Sequence, residues 1–236
     1  ASATNLARVS LELGGQAPFI VFDDADLDAA VEGVLMSKFQ VNGQSCLCAN
    51  RIFVQDSIAH DFTARLTEAV SKLKVGPGDE EGVDVGPLID GAGFEKVKAH
   101  VVDAVDRGAT VETGGGRMEA YPDGYFFEPT VMSGCTDEML CASDETFGPV
   151  APVLTFQTEA EVIARANDTR YGLAAYIYTR DLGRAMRASE KLEFGMVGVN
   201  DSMPASPTAP FGGFKESGLG REGAHDGLEA FLEKKL

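Results

Sequence analysis

The chain has 236 residues, 44% hydrophobic and 24% charged, which is enough material for a sizeable core. Its formal charge of −17 at pH 7 argues against nucleic acid as a partner and fits a solvated acidic surface. No apolar run approaches the roughly 20 residues that span a bilayer, and residues 1–8 lack the layout of a secretion signal.

In chain order, residues 6–13 (LARVSLEL) read as a short strand that stops at Gly14-Gly15, where the backbone can turn freely. A second apolar run, Ala17 to Phe22, ends at Asp23-Asp24, two carboxylates suited to cap the next helix. From Asp26 the apolar residues Leu27, Ala30, Val31, Val34, Leu35 and Phe39 lie on one helical face, and the helix runs out at Asn42-Gly43. Arg51 to Gln55 is strand-like, 58–74 is helical, and 75–90 is an acidic, Gly-rich loop. A helix over 92–107 ends at Gly108 and leads to a strand at 109–113. Residues 126–132 read as a strand that Pro129 confines to an edge or breaks. Strands at 152–156, 173–178 and 195–200 then alternate with helices at 159–167 and 182–192, and a last helix is expected near 221–233. This alternation predicts one α/β domain, a mostly parallel sheet with helices on both faces.

Chemistry concentrates around Asn42-Gly43-Gln44-Ser45-Cys46-Leu47-Cys48. Cys46 follows a turn after a helix, so its backbone N–H can face a substrate oxygen, and a cysteine nucleophile needs such charge stabilisation. Cys135 and Cys141 read as small buried hydrophobes. Four irregularly placed cysteines suit a reducing, cytoplasmic setting rather than a disulfide scaffold. His60, His100 and His225 are scattered and read as surface residues, so no metal site is expected. Glu12 is the one acid in the first apolar run. It is either an outward residue with Leu11 and Leu13 inward, or a general base whose pKa partial burial raises. Gly218-Leu219-Gly220-Arg221-Glu222-Gly223 fits G-x-G-x-x-G, but a Pro-rich loop precedes it and the chain ends soon after, so a turn is the better reading.

Four stretches, Leu11-Glu12-Leu13-Gly14-Gly15, Gly43-Gln44-Ser45-Cys46, Glu145-Thr146-Phe147-Gly148-Pro149 and Pro210-Phe211-Gly212-Gly213, resemble in order the NAD(P)-dependent aldehyde dehydrogenase superfamily. Residues 17–26, Cys46 to Arg51 and Ser217 to Gly223 look like its succinate-semialdehyde dehydrogenase branch. The resemblance implies a Cys46 nucleophile, a Glu12 general base, and a Glu222 proton relay. It also implies NAD or NADP contacts from Glu145, Phe147 and Gly14, and a substrate tunnel walled by Phe211. Gln40 stands where the branch usually carries an arginine for the substrate carboxylate, a loss worth about 2 kcal/mol of selectivity. Cys48 is implied as a redox partner of Cys46, in a strained and easily reduced ring.

Family enzymes are about twice this long, so the chain is expected to be the catalytic domain alone. Residues 9–213 would form its core and 214–236 a C-terminal helical segment, without the N-terminal coenzyme-binding domain and without normal dehydrogenase activity. The whole enzyme is expected to be a cytoplasmic homo-oligomer acting on a small aldehyde. The rival readings are a free-standing cysteine hydrolase using Cys46 and Glu12, whose weakness is the lack of a partner histidine, and a non-catalytic fragment.

Overall fold

The computed structural model describes residues 2–229, 231–233 and 235–236. The elements in order are α1 (Ser2–Asn5), β1 (Leu11–Glu12), β2 (Ala17–Val21), α2 (Leu27–Val34), β3 (Ala49–Gln55), α3 (Ala59–Ser71), α4 (Gly91–Asp106), β4 (Thr110–Thr113) and β5 (Thr130–Ser133). There follow α5 (Leu140–Ser143), β6 (Val150–Phe156), α6 (Glu159–Asn167), β7 (Ala174–Tyr178), α7 (Leu182–Lys191), β8 (Met196–Val199), β9 (Gly218–Leu219) and α8 (Asp226–Glu229).

Seven strands form one sheet in the order β4-β5-β6-β3-β2-β7-β8. All neighbours are parallel except β4 and β5. The central strands are buried on both faces, and their side chains divide by period two. Ile20, Phe22, Phe53, Leu154, Phe156 and Ile177 pack with α4, α6 and α7 through Val97, Val101, Val162 and Ala188. Phe19, Val21, Ile52, Val54, Tyr176 and Tyr178 pack on the opposite face with α2 and α3 through Val31, Val34, Phe62 and Leu66. The expected α/β architecture with helices on both faces is the one observed.

Several local expectations change. Asp26, not the Asp23-Asp24 pair, caps α2, accepting from Ala29 N at 3.2 Å. The predicted first strand shrinks to Leu11–Glu12, which pairs antiparallel with Gly218–Leu219 in a separate two-stranded ribbon. The glycine motif at 218–220 is thus a strand partner, not a turn into a helix: a Cβ on Gly218 would lie 2.1 Å from Leu11 O. Strand β5 begins at Thr130 because Pro129 has no N–H for the ladder. The last helix is one turn, Asp226–Glu229, and the expected span includes residue 230, outside the described residues. Leu228, Phe231 and Leu232 are all exposed, so no buried face offsets the cost of nucleating a longer helix. His100, expected at the surface, is buried, its Nδ1 3.1 Å from Thr146 Oγ1.

The α2 helix does not run evenly to Asn42. It loosens into a π-helical turn, Leu35–Phe39, and then a 3₁₀ turn, Gln40–Gly43. Ser37, Lys38 and Phe39 are buried in succession, and Val41, Asn42 and Gly43 all take positive φ. For β-branched Val41, at φ 50°, that backbone is strained, a feature that gathers at functional sites.

Asp24 instead ties the sheet to α7. It accepts from Thr179 Oγ1 at 2.8 Å, from the backbone of Arg180 and Asp181, and from Arg184 Nη1 at 2.7 Å. Partial burial pushes its pKa up, but these donors, Thr179 foremost, overcome that and hold it below the usual carboxylate range. A depressed folded-state pKa stabilises above the unfolded value and is lost as pH falls through the folded one. Asp24→Ala should therefore cost about 2 kcal/mol in urea unfolding at neutral pH. The cost should shrink on acidification below about pH 4; a pH-independent cost would rule out this account.

Candidate active site

Cys46 lies in the turn that joins the loosened helix to β3, at the N-terminal edge of the parallel strands β2, β3 and β6, the end opposite to the one where open α/β sheets usually place ligand sites. Two backbone approaches hold that turn. A Cβ on Gly15 would come within 2.1 Å of Cys46 O, and one on Gly43 within 2.2 Å of Gly148 O. Neither Gly14 nor Gly15 has a positive φ, so close approach, not free turning, is the reason for this pair. Within the turn Cys48 N donates to Ser45 O at 3.0 Å, and Tyr176 OH donates to Leu47 O at 2.7 Å.

A cleft of about 710 Å³ opens over Cys46, and its lining gathers residues remote in sequence: Glu12, Gly14, Cys46, Glu145, Phe147, Phe211 and Glu222. The β1–β9 ribbon carries Glu12, and its neighbours Leu11 and Leu13 are exposed, the reverse of an outward-facing acid. Both Glu12 carboxylate oxygens are buried without a hydrogen-bond partner. Burial first, then the charge of Glu222, raises its pKa, while Arg221 opposes. Glu222 is set on the cleft wall by a two-way backbone pairing with Phe211, at 2.8 and 2.7 Å.

Glu145 enters from the segment before β6. Its Oε1 accepts from Gly15 N at 2.8 Å, and a Cβ on Gly14 would sit 2.7 Å from its Oε2. Burial raises its pKa, with the Gly15 hydrogen bond, Lys96 and Lys38 working the other way. Phe147, two residues on, is exposed with φ 55°.

Gln40 and Cys48 fall elsewhere. They line a second cavity of about 200 Å³, with Tyr176, Ser202 and Met203, that shares only Val41 and Ser45 with the first. The Cys46 turn is the partition between the two. Cys48 is buried and Cys46 half-buried, and both thiols are free. Cys135 and Cys141 are buried in the core; the Cys141 thiol beside Cys135, and burial, push the Cys135 thiol up. Among the described residues no group of three or more His, Cys, Asp or Glu is placed to hold a metal ion, and no helix is long and apolar enough to cross a membrane.

Sequence reasoning missed the polar interior behind the cleft. Lys38 is buried with Nζ on Asn50 Oδ1 at 3.1 Å, and Arg51 donates to the carbonyls of Gln16, Arg165 and Ala166. Asn42 is buried with both side-chain polar atoms unpartnered. The signal for Lys38 was available: position 38 is i+4 from Val34 and i+7 from Val31, on the inward face. Nothing in the pattern around Asn50 or Arg51 marks them.

At rest the Cys46 thiol is held protonated: burial, then the Glu145 charge, raises its pKa, with smaller pushes from Glu12 and Cys48. Iodoacetamide should therefore alkylate Cys46 with a pH midpoint above the ordinary thiol value of about 8.5, yet faster than the buried Cys135. Glu145→Gln should lower that midpoint and speed alkylation near neutrality. An unchanged or higher midpoint in Glu145→Gln would contradict the electrostatic assignment.

The sequence matches the aldehyde dehydrogenase family over residues 1–236. It is 54% identical over 233 residues to the glutarate-semialdehyde dehydrogenase of Pseudomonas putida, covering 99% of this chain and 48% of that protein. A 3-sulfolactaldehyde dehydrogenase of Pseudomonas putida is also 54% identical over 233 residues, with the same coverages. The crystal structure of succinate-semialdehyde dehydrogenase from Burkholderia pseudomallei superposes with a TM-score of 0.95 at 53% identity, over 98% of this chain and 47% of that one. The chain spans about half the length of the curated relatives it matches. With one cleft joining the thiol, the partly buried carboxylate and the second acid, and with the match running its whole length, the chain belongs to the aldehyde dehydrogenase family.

Proposed function

We propose that this chain is the catalytic domain of an enzyme that oxidises a small aldehyde, a semialdehyde or a close analogue, to the carboxylate. The observation that carries the reading is the convergence of Cys46, Glu12 and Glu145 on one cleft from three separate segments. The relatives named for glutarate semialdehyde, succinate semialdehyde and 3-sulfolactaldehyde support the substrate class.

The Cys46 sulfur attacks the aldehyde carbon once a base has taken the thiol proton, and a thiohemiacetal forms. The Cys46 backbone N–H donates to the developing oxyanion. NAD or NADP, when bound, supplies the acceptor for the hydride whose loss leaves a thioester on Cys46. The residues present fit its nicotinamide end: Glu145 keeps one carboxylate oxygen toward the cleft, Gly14 leaves room where any Cβ would collide, and Phe147 is exposed beside them. Glu12 then takes a proton from water as the water attacks the thioester, and the carboxylate product leaves. Its raised pKa and unpartnered oxygens suit a base that must accept a proton near neutrality. Glu222, whose charge Glu12 feels, receives that proton and passes it toward solvent.

The second cavity, with Gln40, Tyr176 and Ser202 in its lining, takes the far end of the substrate, and Phe211 walls the first. Cys48, across the partition, is the thiol able to close on Cys46 under oxidation. None of the three histidines lines the cleft, which weighs against a free-standing cysteine hydrolase. The 236 residues alone are expected to lack normal cofactor affinity and turnover.

In the whole protein Cys46→Ala should abolish aldehyde oxidation, and Glu12→Gln should slow thioester hydrolysis by about 10²-fold or more. A pre-steady-state burst of reduced cofactor should survive in Glu12→Gln and not in Cys46→Ala. Full turnover in Cys46→Ala would end the reading. A preference of under about tenfold for succinate semialdehyde over an uncharged aldehyde of equal length would remove an ω-carboxylate from the substrate definition.

A further inference from the structure

Behind the cleft lies a buried amine that the chemistry above does not use. Lys38 sits fully buried on the π-helical turn Leu35–Phe39, a kind of insertion that recurs at functional sites. An apolar side chain would fill this inward position without the cost of desolvating an ammonium group. The amine is therefore expected to act on something.

Its hydrogen bonds point to what. Lys38 Nζ donates to Asn50 Oδ1 at 3.1 Å, and Asn50 Nδ2 donates to Gly15 O at 3.3 Å. The N–H of Gly15 in turn donates to Glu145 Oε1 at 2.8 Å, and the same glycine is pressed against the Cys46 carbonyl. The line therefore runs from Lys38, through a side-chain amide and a glycine, to the one carboxylate that most opposes ionisation of Cys46. The titratable groups that face Lys38 are Cys48 from the turn before β3, Glu145 from the loop before β6, Cys141 from α5 and His100 from α4.

We propose that Lys38 is a positioning residue for the Cys46 site: through Asn50 and Gly15 its ammonium holds the Glu145 carboxylate in place and offsets that carboxylate's charge beside the thiol. This rests on the reading of Cys46 as nucleophile and Glu145 as its neighbour in the cleft. Burial lowers the Lys38 pKa to about 8, with Cys48, Glu145 and Cys141 opposing. A base whose folded value lies below its unfolded value of about 10.4 loses its charge as pH rises through the folded value. The offset is then present at neutrality and withdrawn in the range where Cys46 ionises. Cys46 ionisation in the wild type should accordingly be spread over a wider pH range than a single proton requires.

The test is the rate of Cys46 alkylation by iodoacetamide in this chain between about pH 6 and 10, located by mass spectrometry. Lys38→Met should slow alkylation about fivefold near pH 8, with a single-proton curve moved to higher pH. Lys38→Arg, a permanent cation, should give a single-proton curve no slower than wild type. In a Glu145→Gln background the effect of Lys38→Met should fall below about twofold, which a merely structural role for the amine would not produce. A Lys38→Met curve that coincides with wild type, or an effect of equal size with and without Glu145, overturns the proposal. Should Lys38→Met fail to fold, Asn50→Ala severs the same line. It should move the Cys46 curve in the same direction, and an unmoved curve counts equally against the proposal. Wild-type Cys46 reacting no faster than Cys135 would overturn the nucleophile reading, and the proposal with it; failure of the proposal alone leaves Cys46 reactive.

Discussion

The site depends on two places where backbone touches backbone. Gly15 admits the Cys46 carbonyl and Gly43 admits the Gly148 carbonyl, each at a distance that no Cβ allows. These approaches pin the cysteine turn between the end of the loop before β2 and the loop before β6. Because β2, β3 and β6 are adjacent or nearly so in the sheet, register errors in the strands would reach the thiol directly. Rigid parallel strands, buried on both faces, thus aim three loops at one point. Fold stability and site geometry are coupled through these glycines together with the hydrogen bonds from Tyr176 to the Leu47 carbonyl and from Gly15 to Glu145.

The β1–β9 ribbon explains why the facing of Glu12 was open in the sequence and is toward the cleft in the structure. An alternating strand on a main sheet would place Leu11 and Leu13 inward. Here two residues pair with Gly218 and Leu219, from the far end of the chain, and the ribbon lies outside the seven-stranded sheet. Its inward side is the cleft, so the acid faces in and the leucines face out. A contact spanning more than two hundred residues leaves no mark in a local pattern.

Elsewhere legibility follows the range of the interactions. The α/β alternation and the helices α3, α4, α6 and α7 were legible because 3.6- and 2-residue periodicities are local properties. The loosening of α2 was not, since the apolar stripe continues unbroken to Phe39 while tertiary packing draws Lys38 inward toward Asn50. The last helix failed for the converse reason: its apolar stripe is real, but Leu228 and Phe231 find nothing to bury against. For the site, the grouping of Cys46, Glu12, Glu145, Phe211 and Glu222 came through the family resemblance, with Gln40 and Cys48 separated from them by the turn itself. The placing of Asn50 and Arg51 was hidden because they donate to backbone carbonyls, which every sequence has, whereas the inward place of Lys38 could be read from its spacing.

The charge layout around Cys46 sets a conflict that the surroundings must manage. Three carboxylates, Glu12, Glu145 and Glu222, line the cleft of a thiol that becomes an anion in the proposed mechanism. Burial, then Glu145 and Glu12, raise the free energy of the thiolate, so the resting site favours the neutral thiol. A neutral thiol is a poor nucleophile, so in the proposed mechanism that arrangement protects the sulfur from oxidants and stray electrophiles until a base and an oxyanion donor act together. Burial, and after it the Glu222 charge, likewise raise the Glu12 pKa, with Arg221 opposing. The same surroundings that hinder the thiolate therefore raise the proton affinity of Glu12. Lys38, placed behind the backbone, tempers Glu145 alongside Lys96 without forming an ion pair that would remove the carboxylate from the cleft.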